Sequence, residues 1–164
     1  MALVSDDWAE VHDLPVFSEG GVNVIELHDI ITSVASGNHI VIERVGAMPK
    51  QGVSSTFKLG HGYGQILATA ALSRTPYSLV TPSAWKRSLN LPKDKDSARR
   101  LAIQWFPALA GSLKRKKDEH RAEALLLAMY WRGLKRLCQN LRTRRITPTH
   151  QSAPALLKRW PKNH

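Results

Sequence analysis

The chain has 164 residues, of which 43% are hydrophobic, so it can bury the core of one domain and is not disordered by composition. The sequence lacks an apolar run of the roughly 18–20 residues that span a bilayer, lacks a secretory signal, and has a single cysteine, which excludes a disulfide framework. Residues 1–85 carry a net charge of −4 and residues 86–164 a net charge of +15. This asymmetry favours a polyanionic partner, most commonly nucleic acid, over the alternative of a solvated basic surface.

The first half of the chain predicts strands, a helix and a strand in turn. Residues 2–4 and 8–12 read as two short strands around a turn at residues 5–7. Residues 24–34 have helical spacing of apolar side chains. Residues 40–42 form a continuous apolar run, which is typical of a strand buried on both faces, and Glu43 follows it.

The second half alternates helices with one further strand. The predicted elements are a helix over 53–72, a strand over 76–81, and helices over 81–88, from 94 or 96 to about 106, and over 118–137. Residues 141–164 are basic and predict a mobile tail. The order strand, helix, strand, helix predicts an α/β sheet with parallel strands.

Glu43 is the first candidate for chemistry. It stands at the carboxyl end of an apolar strand, and ligands of open α/β sheets bind at that edge. The alternative is a structural ion pair with Arg44 or with a C-terminal lysine.

The second group of candidates begins the last predicted helix. Glu123 lies within an apolar stretch, and His120 precedes it by three residues, on the same helical face. Asp118 lies at the helix start, where a carboxylate also serves as a cap, and Glu119 reads as solvated. Grouped with Glu43, these residues would form a hard, oxygen-rich site that suits Mg²⁺ or Mn²⁺ better than zinc.

Four segments of the sequence are more specific than any single residue. They read VIERVGAMPKQG (41–52), FKLGHGYG (57–64), VTPSAWK (80–86), and RKKD with RAEALL (115–118 and 121–126). Together they resemble the RuvC-like Holliday junction resolvases of phages and prophages, over roughly residues 1–132. The resemblance implies an RNase H-like fold, a mixed sheet flanked by helices, with a nuclease domain over residues 1–140 and a basic tail over 141–164.

The resemblance also implies a metal site for Mg²⁺ or Mn²⁺, with two ions. Glu43 would be its second member, Glu123 its last, and Asp118, in preference to His120, its third. The family begins with a strand carrying Asp-x-Gly, whose aspartate is the first ligand, whereas this sequence begins with the strand that follows. We therefore expect that central strand to be absent from the chain as numbered, and the chain to be inactive without it.

The implied activity is metal-dependent endonucleolytic cleavage of Holliday junctions or related branched DNA in the bacterial or phage-infected cytoplasm. A homodimer would suit the two-fold substrate, with helix 53–72 as its face unless that helix packs on its own sheet. The alternatives are a DNA-binding protein without catalysis and a nuclease of RNase H or transposase type. The candidate DNA contacts are Lys50, Lys58, Lys86, Arg87, Lys114, Arg115, Lys116 and Lys117.

Overall fold

The computed structural model describes residues 1–34, 38–47, 49–92, 94 and 96–143. Its strands are β1 (Ala2–Val4), β2 (Ala9–Val11), β3 (Ile40–Glu43) and β4 (Tyr77–Val80), and its α-helices are α1 (Val24–Ser33), α2 (Val53–Leu72), α3 (Pro82–Ser88), α4 (Ser97–Trp105) and α5 (Glu119–Thr143). The chain divides into two compact units. One consists of residues 13–82, and the other joins residues 1–12 to the chain from residue 83 onward.

In the unit of residues 13–82, β3 and β4 form a parallel pair, with Ile40 opposite Tyr77 and Glu43 opposite Val80. The parallel pairing confirms the prediction, and α2 connects the two strands. The residues of β3 are half-buried, so the expectation of burial on both faces was wrong. The reason is that β3 has one strand neighbour, β4, within the part of the chain that the structure describes.

Helix α1 packs against α2 in the same unit. Its start is fixed by Asn23, whose side-chain oxygen accepts a hydrogen bond from the Glu26 N–H (3.2 Å) while its amide donates to the Glu26 carboxylate (3.0 Å). The buried side chains of these two helices are Leu27 from α1 and Thr69 and Ala70 from the last turns of α2. The first turns of α2 are mostly exposed.

In the other unit, β1 and β2 form the predicted antiparallel hairpin, closed by a 2.8 Å hydrogen bond from Ser5 N–H to the Trp8 carbonyl. The turn is tied to α5. Arg132 donates to the Ser5 carbonyl, and both Arg132 and Arg136 form ion pairs with Asp6. The hairpin therefore covers the middle of α5.

The core of this unit is built around α5, which packs against α4 and the hairpin. Its fully or nearly fully buried side chains are Trp85, Ala98, Ala102, Leu113, Ala122, Leu125, Leu126, Leu127 and Met129. Helix α4 ends before Pro107, as predicted, because proline lacks the N–H that a helix interior needs. A 3₁₀ helix over Pro107–Leu113 then follows, which the sequence did not reveal.

The architecture confirms the α/β class, with one antiparallel and one parallel two-stranded sheet among the residues described. Helix α5 runs to Thr143, six residues beyond its predicted end. The predicted tail otherwise falls on residues 144–164, which lie outside the described residues. No helix in the described ranges combines the length and the apolar character needed to cross a membrane.

The core around α5 can be tested directly. We expect Leu126→Ala to lower the free energy of unfolding by about 2–5 kcal/mol, because Leu126 is fully buried and its loss leaves a cavity. The exposed Gln104→Ala on α4 should change it by less than about 0.5 kcal/mol. Chemical denaturation measures both, and equal effects would contradict the assignment of α5 as the centre of this core.

Candidate metal and nucleic-acid site

Packing of α5 determines where its carboxylates lie. Ala122, Leu125, Leu126 and Met129 recur at three- and four-residue spacing and are buried, so they define the inner face of the helix. Glu123 lies next to Ala122, at the border of that face, and its side chain is 21% exposed. The carboxylate is therefore partly withdrawn from water, as the surrounding apolar sequence predicted.

Two basic groups face the Glu123 carboxylate. The Lys86 ammonium lies 2.5 Å from Oε1, and His120 Nδ1 lies 3.8 Å from Oε2. Lys86 projects from α3, beside the buried Trp85, and its ammonium is 5.1 Å from the Trp85 ring centroid. Packing of the Trp85 ring thus anchors the helix that carries the lysine.

The spacing of His120 and Glu123 is close to that of two ligands of one metal ion. Ligand atoms about 2.1 Å from an octahedral ion are about 3.0 Å apart when adjacent and about 4.2 Å apart when opposite. The separation of 3.8 Å lies between these two values, so the His120 side chain, which is 91% exposed, would have to move for both groups to bind one ion. Within the described residues, no three His, Cys, Asp or Glu side chains form a ready-made metal cluster.

Asp118 has different surroundings. Its side chain is 2% exposed, and Oδ1 accepts a hydrogen bond from Arg115 Nη2 at 2.8 Å. Oδ2 accepts from Arg115 Nε (3.1 Å) and from the Arg115 backbone N–H (2.9 Å). These hydrogen bonds to Arg115 lower the pKa of Asp118 from its ordinary value of 3.8 to about 2, with smaller coulombic contributions from Arg115 and Arg121.

This geometry bears on the third ligand, for which the resemblance favoured Asp118 over His120. The Asp118 carboxylate accepts from the Arg115 backbone N–H, so it caps the short 3₁₀ turn Lys116–Asp118, whereas the sequence predicted a cap at the start of the long helix. His120 is the residue of the two that the structure places within 4 Å of the Glu123 carboxylate. The arrangement favours His120 as the partner of Glu123.

Glu43 belongs to the unit of residues 13–82. It is the last residue of β3, as predicted, and the following residue, Arg44, donates its N–H to the Val80 carbonyl at 2.8 Å. The side chain is half-buried at the carboxyl end of the parallel pair. This is the edge at which α/β sheets bind ligands.

The candidate DNA contacts are exposed, with one exception. Lys114, Arg115, Lys116 and Lys117 are exposed immediately before α5, and Arg87 is exposed on α3. Lys50 and Lys58 are exposed in the other unit. The exception is the half-buried Lys86, whose ion pair with Glu123 sequence reasoning missed, because 37 residues separate the two and no local pattern links them. The three-residue spacing of Arg115 and Asp118 was a usable signal for their pairing.

Acidification should test the Asp118 contact. Since the folded-state pKa is lowered, the contact stabilises the protein above about pH 4 and is lost as the pH falls toward 2. We expect Asp118→Asn to lower Tm at pH 7, and the gap from the unsubstituted protein to narrow between pH 4 and 2. Arg115→Ala should shift the acid transition to higher pH. A gap in Tm that is constant down to pH 2 would contradict this account.

Comparison with known proteins places no further constraint on the site. No protein-family model matches the chain, and the search of curated proteins also finds no match.

Proposed function

We propose that this protein is a metal-dependent endonuclease that cleaves branched DNA such as Holliday junctions, with an RNase H-like fold of the RuvC type. The observation that carries the proposal is the Glu123 carboxylate, partly buried at the start of α5, with His120 3.8 Å away. The exposed basic run 114–117 immediately precedes that helix. A carboxylate that can bind a cation, close in sequence to groups that bind phosphates, is the combination that metal-dependent DNA hydrolysis requires.

The proposed roles follow from the chemistry of each residue. Mg²⁺ or Mn²⁺, when bound, would activate water and stabilise the leaving oxygen of the phosphodiester. Glu123 supplies a hard oxygen donor for the ion, and His120 supplies a nitrogen beside it. Glu43, at the end of β3, is assigned as a further ligand by the motif resemblance. The basic run 114–117 neutralises backbone phosphates without reading bases, which suits recognition of DNA shape.

Lys86 would serve as the counterion of Glu123 when no metal is bound. Its ammonium balances the negative charge of Glu123, so a partly buried carboxylate is not left without a counterion. A divalent ion at Glu123 would displace this ammonium by repulsion. Lys86 would then be available to bind a DNA phosphate, the contact predicted from the sequence.

One observation supports a second candidate function, DNA binding without cleavage. The Lys86 and Glu123 ion pair is short and satisfies one carboxylate oxygen within the protein. If the pair is permanent, Glu123 is structural and the basic surface alone acts on DNA. The two functions differ in their response to metal, since phosphate binding by lysine and arginine needs no divalent ion.

Cleavage assays separate these functions. We expect a version of the chain extended upstream by the expected Asp-x-Gly strand to cut a synthetic four-way junction in the presence of Mg²⁺ or Mn²⁺, and the chain that starts at Met1 to be inactive. In the extended version, Glu123→Gln should reduce the rate more than about a hundredfold by removing a ligand. Asp29→Asn, an exposed carboxylate on α1, is the matched control and should cut at the normal rate. Salt-dependent junction binding without cleavage, unchanged by Glu123→Gln, would replace the nuclease by the non-catalytic function.

We also propose a homodimer, because a four-way junction has two strands to be cut. The exposed beginning of α2 supports this proposal. Phe57 is 73% exposed, Val53 lies one turn before it, and a side chain added at Gly60 or Gly64 would meet open space. Residues at these spacings share one helix face, so α2 offers an apolar surface that a second helix can approach closely.

Substitution on this face tests the dimer. We expect Phe57→Glu to convert a dimer into a monomer, because two buried carboxylates would face each other across the two-fold axis. Ser55→Glu introduces the same charge on the opposite side of α2 and should leave the dimer intact. Light scattering gives the molar mass of each. A monomeric unsubstituted protein at all concentrations would refute the proposed dimer.

A further inference from the structure

We propose that Asp118 is a positioning residue for DNA binding, whose buried carboxylate holds Arg115 and the turn that carries it as a preformed phosphate-binding element. We call residues 114–117 the basic turn. The inference rests on the proposed function in one respect, namely that DNA is the polyanion. Asp118 would thus support the binding of an anionic ligand and would not bind a metal.

Asp118 and Arg115 are joined by several hydrogen bonds. The carboxylate accepts from two guanidinium nitrogens, Nε and Nη2, and also from the Arg115 backbone N–H. Two-point pairing of this kind fixes the orientation of the planar guanidinium as well as its position. Asp118 is 2% exposed, and a buried carboxylate that lost its partner would be left without compensation. Asp118 is therefore a poor candidate to turn away from Arg115 toward an ion.

The backbone of the basic turn is fixed at both ends. The Asp118 N–H donates to the Arg115 carbonyl at 2.9 Å, which closes the turn. At the other end, Arg99 on α4 donates from Nη1 to the Lys114 carbonyl at 2.8 Å, and Asp96 holds the Arg99 guanidinium at 3.1 Å. The turn is thus anchored to α4 on one side and to the start of α5 on the other.

The anchored backbone limits the movement of the basic side chains of residues 114–117. Arg115 keeps 50% of its side-chain surface exposed while its orientation is set from the buried side by Asp118. Lys114, Lys116 and Lys117 are exposed on the same fixed backbone. A cation that has already lost its conformational freedom binds a phosphate at a lower entropic cost than a mobile one. The carboxylate therefore strengthens anion binding although its own charge repels anions.

If Asp118 acted on DNA only through its negative charge, removing that charge would strengthen binding. If Asp118 positions Arg115, removing it should weaken binding. Binding of the full chain to a linear DNA duplex is measured as a function of salt for Asp118→Asn, Arg115→Ala and the double variant. We expect each single substitution to weaken binding and to reduce the magnitude of the salt slope by about 0.9, the value for one phosphate contact. The double variant should be no weaker than the weaker single variant, because both remove the same contact.

Two further variants provide the controls. Glu119→Gln removes the same charge one residue later and should bind DNA equally well or more tightly, since only repulsion is lost. Arg115→Lys keeps the charge but loses the two-point contact, and it should also weaken binding, which decides the question if Asp118→Asn does not fold. Far-UV circular dichroism checks folding, and a Mn²⁺ titration of Asp118→Asn should match that of the unsubstituted protein.

Several results would overturn the inference. One is duplex binding by Asp118→Asn that is unchanged or tighter, and another is duplex binding by Arg115→Lys that equals that of the unsubstituted protein. The others are losses of affinity that add up in the double variant, and loss of Mn²⁺ binding in Asp118→Asn. Junction cleavage by the protein extended upstream with the expected Asp-x-Gly strand tests the nuclease proposal separately. If that extended protein does not cleave, but the duplex salt slopes change as expected, the nuclease is refuted and the positioning role is retained.

Discussion

The apolar face of α5 is buried against α4 and the β1–β2 hairpin, and this packing fixes the side chains on which the functional account depends. Leu125 and Leu126 are fully buried and leave no freedom to rotate the helix about its axis. Glu123 is consequently held at the border of the core, and Asp118 is enclosed just before the first turn. A rotation that exposed either carboxylate would bring leucine into water, at about 25 cal/mol for each Å² of apolar surface.

Asp118 and Glu123 each have a basic partner, and the two contacts differ in geometry. Asp118 is bound by a guanidinium in fixed two-point geometry, with a pKa lowered to about 2, so it stays ionised at any physiological pH. Glu123 is bound by a single lysine, a flexible point charge that a divalent ion can replace. In the proposed function, the Asp118 carboxylate would hold the basic turn for anion binding, and the Glu123 carboxylate would exchange its lysine partner for a cation.

Local patterns in the sequence predicted most helices and strands and the surroundings of the candidate carboxylates. The residue pattern predicted α2 with its observed bounds, the apolar stretch around Glu123 marked it as a carboxylate in apolar surroundings, and Glu43 ends its strand as expected. The 3₁₀ helix Pro107–Leu113 was missed because its short turns leave no periodic signature. The pairing of Lys86 with Glu123 was missed because it depends on tertiary packing of α3, which residue spacing does not encode.

The proposed metal site requires that Glu123 exchange its lysine partner for a metal ion. The most direct test is a crystal structure of the full chain soaked with Mn²⁺, with the ion located by its anomalous scattering. The account predicts a peak about 2 Å from a Glu123 carboxylate oxygen and a Lys86 ammonium that has moved out of hydrogen-bonding distance. An intact ion pair at the 2.5 Å separation of Lys86 Nζ and Glu123 Oε1, with no anomalous peak beside Glu123, would contradict it.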